Sequence, residues 1–148
     1  MTNLHQFEEG VNLEHTIAGL DFVKAGEASS NIKHSLQLVG YPPEIVRRAA
    51  IAAYEAEMNI AIHGHRGVLR TTIRPDFIEI VADDSGPGIP DIDLAMQEGY
   101  STAPDYIREM GFGAGMGLPN IKRCADSFSI ESVVGKGTWL RVVILNKK

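Results

Sequence analysis

The chain has 148 residues, 44% of them hydrophobic, which is enough for one domain with a substantial core and too little for a second domain of ordinary size. Fourteen basic residues against 19 acidic ones give a formal charge of -5, which excludes a general electrostatic attraction to nucleic acid or to an anionic membrane. A single cysteine, Cys124, excludes an intramolecular disulfide or a cysteine-built zinc cluster, and the start MTNLHQFEEG has neither the basic flank nor the apolar run of a signal peptide, so a reducing, cytoplasmic setting is expected.

Residues 1 to about 10 are polar and read as a flexible N-terminus, leaving 11–148 as one domain. Val11, Leu13, His15 and Ile17 alternate with polar residues, which predicts a strand over 11–18. Asp21 is a cap candidate for a helix that Phe22, Val23, Ala25, Ala28, Ile32, Leu36 and Leu38 carry to Gly40. After Pro42, a long helix is predicted from Pro43 to His63 and ends at Gly64. Its inner face is Ile45, Ala49, Ala52, Ala56, Ile60 and Ala61, and Ile51, Tyr54, Met58 and Ile62 widen it.

On this mostly apolar helix, Glu55, Asn59 and His63 share one stripe at i, i+4 and i+8. His63, in the last turn, suits the negative end of the helix dipole. An antiparallel strand pair is predicted over Val68–Arg74 and Phe77–Ala82, joined by the turn at Pro75 and Asp76. The second strand delivers Asp84.

A short helix from Pro90 and Asp91 to Gln97 precedes a polar segment, Glu98 to Met110, and then the run GFGAGMGL. Another helix is expected from Pro119 to about Asp126, followed by strands at Phe128–Val134 and Thr138–Leu145 around the hairpin Gly135, Lys136, Gly137. The resulting order, β, α, α, β, β, α, α, β, β, predicts an α+β, two-layer α/β sandwich. Its sheet is mixed and mostly antiparallel, with the helices on one face.

Glycine clusters beside a helix start expose backbone N–H groups that suit phosphate. A dinucleotide fingerprint does not fit GFGAGMGLPN, because its third glycine is missing at every register. A Walker A loop fails as well, since Gly135 and Lys136 lack both the upstream glycine and the following Ser or Thr. The eukaryotic protein-kinase motifs are absent.

Four pieces do occur in order: Glu55-x-x-x-Asn59, Asp84-x-Gly86-x-Gly88, Gly115-x-Gly117 and Gly135-x-Gly137-Thr138. This pattern, spread over nearly the whole chain, resembles the GHKL (Bergerat-fold, histidine-kinase-like) ATPases. EAEMNIAIHG, DDSGPGIPDI, GYSTAP and SFSIESVVGKGT look most like the anti-sigma-factor and stressosome switch serine kinases, the RsbT/RsbW-like group.

The resemblance implies ATP and Mg²⁺ as cofactors, with Glu55 as general base and Asn59 as a magnesium ligand. Asp84 would accept a hydrogen bond from the adenine amino group, Gly86, Gly88 and Ile89 would line the base, and Thr138 would complete that pocket. Gly113, Ala114, Gly115, Met116, Gly117 and Leu118 would form the lid over the phosphates, with Ser101, Thr102 and Arg108 as weaker lid candidates. Lys122 and Arg123 are weak phosphate candidates from the next helix, where a solvated surface accounts better for at least one of them. Two features depart from the pattern: a second acid, Glu57, two residues after Glu55, and a longer lid insert, APDYIREMGFGA.

The implied activity is that of an ATP-dependent serine/threonine protein kinase acting on a small STAS-domain anti-sigma antagonist or scaffold protein. A sigma factor or other regulator is a further partner, and the protein itself is a monomer or homodimer. The alternative is a nucleotide-dependent switch that sequesters a sigma factor or regulator without phosphotransfer. A sensor histidine kinase is disfavoured, because no phosphoacceptor helix pair precedes the domain and His34, in NIKHSLQ, lacks the acidic residue that follows a phosphorylated histidine.

Overall fold

The computed structural model describes residues 10–19, 24–63, 66–97 and 117–147. The elements are β1 (Val11–Ala18), α1 (Glu27–Leu38), α2 (Pro43–His63), β2 (Arg66–Ile73), β3 (Phe77–Asp84), α3 (Ile92–Ala95), α4 (Gly117–Cys124), β4 (Ser127–Val133) and β5 (Gly137–Leu145). The strands form one sheet in the order β1-β2-β3-β5-β4, and every pairing among them is antiparallel. Helices α1, α2 and α4 cover one face, as the two-layer expectation requires.

Strand periodicity explains which face is covered. Leu69, Thr71 and Ile73 of β2, Ile78, Ile80 and Ala82 of β3, and Leu140, Val142 and Ile144 of β5 are buried under the helices. Helix α2 lies at the centre of that layer, packed against α1, α4 and the sheet. Its Ala49, Ala52, Ala53, Ala56 and Ala61 are almost wholly buried. Alanine keeps full helix propensity while letting neighbouring backbones come close on several sides. Met58 is also buried, but Tyr54 is exposed and belongs to an outer groove rather than to the core.

Three of the helices differ in their bounds from the sequence expectation. Helix α1 starts at Glu27, behind Gly26 in the left-handed region at φ 100°; Asp21, Phe22 and Val23 lie outside the described residues. Helix α3 has only four residues, with the Asp91 carboxylate capping it by accepting from Leu94 N–H. Helix α4 begins at Gly117, so Pro119 sits inside its first turn, where the missing N–H is no loss.

The late start of α1 has its cause in Glu57. This carboxylate is 2% exposed, and it accepts from Gly26 and Ala28 N–H through Oε2 at 3.0 and 3.2 Å and from Ser29 N–H through Oε1 at 3.1 Å. It supplies from another helix what a capping side chain supplies locally, and it places a negative charge at the positive end of the α1 dipole. The second acid of the sequence is thus a structural cap. Glu57→Ala should leave three amides without their acceptor and destabilise the protein by about 3 kcal/mol or more, measured by urea unfolding.

At the opposite end of α1, the buried Tyr41 hydroxyl donates to the Arg74 and Phe77 carbonyls and ties the α1–α2 connection to the β2–β3 turn. Burial, with the Asp76 carboxylate adding to it, pushes the Tyr41 phenol up to about 12, which keeps it a donor.

Candidate active site

The C-terminal end of β3 carries Asp84, whose Oδ1 accepts from Gly86 N–H at 2.9 Å and from Thr138 N–H at 3.2 Å. Two amides from different segments therefore fix the plane of one carboxylate. Behind them, Ser132 Oγ accepts from Ile89 N–H at 2.6 Å, lies 2.9 Å from Thr138 Oγ1 and donates to the Gly137 carbonyl at 3.1 Å. Ser132 was not a candidate from the sequence, yet it knits the loop after β3 to the β4–β5 hairpin. Its signal was its register opposite Thr138, readable only once the strands are paired.

The glycines of this corner serve close approach. At Gly88, with φ 80°, a Cβ would stand 2.5 Å from the Val133 carbonyl oxygen; at Gly137, with φ 141°, it would run into the Asp84 carbonyl. The space a Cβ would occupy at Gly88 is taken by the hairpin backbone, which with the positive φ requires glycine there. Gly67, also missed in the sequence, leaves room for Ile60 of α2, since a Cβ would meet the Ile60 side chain at 2.9 Å and Asp84 Cβ at 3.0 Å. Helix α2 is thereby seated against the end of the sheet that carries Asp84.

Asn59 and Glu55 face the start of α4. A Cβ added at Gly117 would lie 3.1 Å from Asn59 Oδ1 and 3.3 Å from Glu55 Oε2, so α4 reaches both polar side chains through a residue with no side chain. Burial holds the Glu55 carboxyl above the ordinary glutamate range, while a hydrogen bond from the Asn120 side chain pulls it back. The other end of α4 is tied to α2 by Arg48, whose guanidinium donates to the Cys124 carbonyl at 3.1 and 2.8 Å and meets Asp126 at 3.3 Å.

The third member of the polar stripe behaves otherwise. His63 lies in the last turn of α2, and burial lowers its pKa below its ordinary value. Lys122 and Arg123 are exposed, and Arg123 Nη1 donates to Asn120 Oδ1 at 2.7 Å. Ser101, Thr102, Arg108, Gly113, Ala114, Gly115 and Met116 lie outside the described residues, and of the lid run Gly117 and Leu118 fall within them, at the start of α4.

Between α1 and α2 runs a groove of about 830 Å³, with Lys33 on one wall, Arg47, Ile51 and Tyr54 on the other, and Glu55 among its lining residues. Glu55 thus borders a groove on one side, and its carboxylate lies near Asn59 and the start of α4. A half-buried base set between a protein-sized groove and a helix start suits proton removal from an incoming hydroxyl.

Residues 23–144 match the histidine kinase-like ATPase domain. The chain is 33% identical over 127 residues to the serine/threonine-protein kinase RsbT of Bacillus subtilis, covering 83% of this chain and 87% of that protein. It is 34% identical over 94 residues to an anti-sigma F factor of Clostridium kluyveri, covering 60% of this chain and 63% of that one. In fold it is similar to a chain of the SiaB-SiaC complex from Pseudomonas aeruginosa, with a TM-score of 0.59 and 15% identity over 95% of this chain and 94% of that one.

Proposed function

Since the chain belongs to the histidine kinase-like ATPase family and, within it, to the serine/threonine-protein kinases related to RsbT, we propose that it phosphorylates a small STAS-domain antagonist or scaffold protein. The observation that carries this reading is the position of Glu55, lining the α1–α2 groove while lying beside Asn59 and Gly117. A serine hydroxyl presented along the groove reaches the carboxylate from the side opposite the nucleotide. Glu55 takes the hydroxyl proton as the oxygen attacks the γ-phosphorus, and ADP leaves.

Asp84 holds the adenine amino group, and the amides at the start of α4 face the phosphates. Asn59 fits a magnesium ion: its amide oxygen is neutral and half-buried, and among the described residues no cluster of three or more His, Cys, Asp or Glu side chains is placed to hold a metal. Magnesium that keeps phosphate oxygens and water needs no more from the protein. When bound, it neutralises charge on the transferring phosphoryl group.

The resemblance to an anti-sigma F factor supports sequestration of a sigma factor or other regulator as a second mode of action. One experiment separates the two. Incubated with γ-labelled ATP, magnesium and a STAS-domain protein, the chain should transfer label to a serine. Arg47→Glu, in the groove wall, should raise KM for that protein about tenfold with ATP affinity unchanged. Stable capture of the partner with no label on it would leave the binding switch as the function.

A further inference from the structure

We infer that Arg48 is a positioning residue for nucleotide: by clamping the C-terminal end of α4 it fixes where the other end of that helix stands against Asn59 and Glu55. The inference rests on the reading that the amides at the start of α4 face the phosphates. Arg48 acts through α4 and not on the nucleotide itself.

Arg48 and Glu55 are seven residues apart on α2, and so are Gly117 and Cys124 on α4. At about 1.5 Å per residue, both spans are roughly 10 Å. The two helices therefore lie antiparallel in a matched register, with Cys124 opposite Arg48 and Gly117 opposite Glu55 and Asn59. Between these ends, Ile121 is fully buried in the core. One buried side chain sets the depth of so short a helix but leaves it free to pivot, and Gly117 has no side chain with which to fasten its own end. The clamp at Arg48 removes that freedom.

Arg48 Nε and Nη2 both donate to the Cys124 carbonyl, at 3.1 and 2.8 Å, one of the carbonyls that a helix end leaves without an intrahelical partner. The guanidinium there also faces the negative end of the α4 dipole. Nη2 meets Asp126 Oδ2 at 3.3 Å, and the same oxygen accepts from Leu145 N–H at 2.7 Å, while Asp126 N–H donates to the Val143 carbonyl at 2.9 Å. One planar fork thus joins α2, the last carbonyl of α4 and a carboxylate anchored on β5.

Calorimetric titration with ATP plus magnesium and, separately, with adenosine tests the assignment. Arg48→Met keeps the stem of the side chain and removes the fork. Its Kd for ATP should rise about tenfold, as for loss of hydrogen bonds from a charged group. Its Kd for adenosine should stay at the parental value, because the Asp84 corner is held by the separate network of Gly86, Thr138 and Ser132. Arg48→Lys, which keeps the charge but not the fork, should recover part of the loss, to about threefold. Asp126→Asn keeps an oxygen for the Leu145 amide and removes the charge facing Arg48. It should show the same split between ligands at about threefold, and it carries the comparison should Arg48→Met not fold.

An equal rise in both Kd values would overturn the inference, since a general loss of structure weakens both ligands alike. Parental ATP affinity in a folded Arg48→Met protein would overturn it too. Either result leaves the phosphate-facing role of α4 standing. Parental protein that binds ATP no more tightly than adenosine would remove that role, and the positioning role with it.

Discussion

Glu55→Gln is expected to retain ATP affinity and to lose about 10²- to 10⁴-fold in the rate of phosphoryl transfer. The substitution keeps the length of the side chain and an oxygen able to accept a hydrogen bond. What it removes is the capacity to take a proton. Burial already favours the neutral form of Glu55, so a neutral amide adds no unsatisfied charge to a half-buried position. Glu57→Gln on the same helix should do the reverse, weakening the fold through the α1 amides while leaving the chemistry to Glu55. Single-turnover assays beside urea unfolding distinguish the two acids, and a Glu55→Gln variant that transfers at the parental rate would remove the base from the mechanism.

Regular elements were legible where one pattern dominated. The alternation in β1, β2, β3, β4 and β5 and the alanine-rich face of α2 declare themselves through period, and the structure places Ile78, Ile80 and Ala82 inside as the alternation requires. The start of α1 was not legible, because its cap comes from Glu57, some thirty residues downstream, and no local pattern marks an acceptor that distant. Local reading did place His63 in the last turn of α2, but the burial that lowers its pKa depends on what packs over the ring and is not marked by its position. Motif spacing offered Glu55, Asn59, Asp84 and Thr138 as site candidates, and the fold carries them on α2, at the end of β3 and at the start of β5. The residues that shape the surroundings of the site, Ser132 and Gly67, escaped notice because each acts through a cross-element contact.

Asp84→Asn is the variant that isolates base recognition from architecture. Asp84 Oδ1 accepts from the backbone amides of Gly86 and Thr138. An asparagine turns its amide oxygen toward them and keeps both bonds, whereas alanine would strand them and disturb the Ser132 network as well. The NH₂ group of the asparagine must then stand where the second carboxylate oxygen was. Adenine presents an amino donor on its edge and guanine a carbonyl acceptor, so a donor now faces the adenine donor. A hydrogen bond to a charged partner is exchanged for an unfavourable pairing, and ATP affinity should fall about ten- to a hundredfold. GTP gains an acceptor-to-donor match at the same spot, so the preference for ATP over GTP should narrow by more than the loss in ATP affinity alone. Unfolding free energy should change less than in Asp84→Ala, because the bonds to the Gly86 and Thr138 amides are kept. Calorimetric titration with each nucleotide reads both effects, and an unchanged ATP-to-GTP ratio in a normally folded Asp84→Asn protein would place adenine recognition elsewhere.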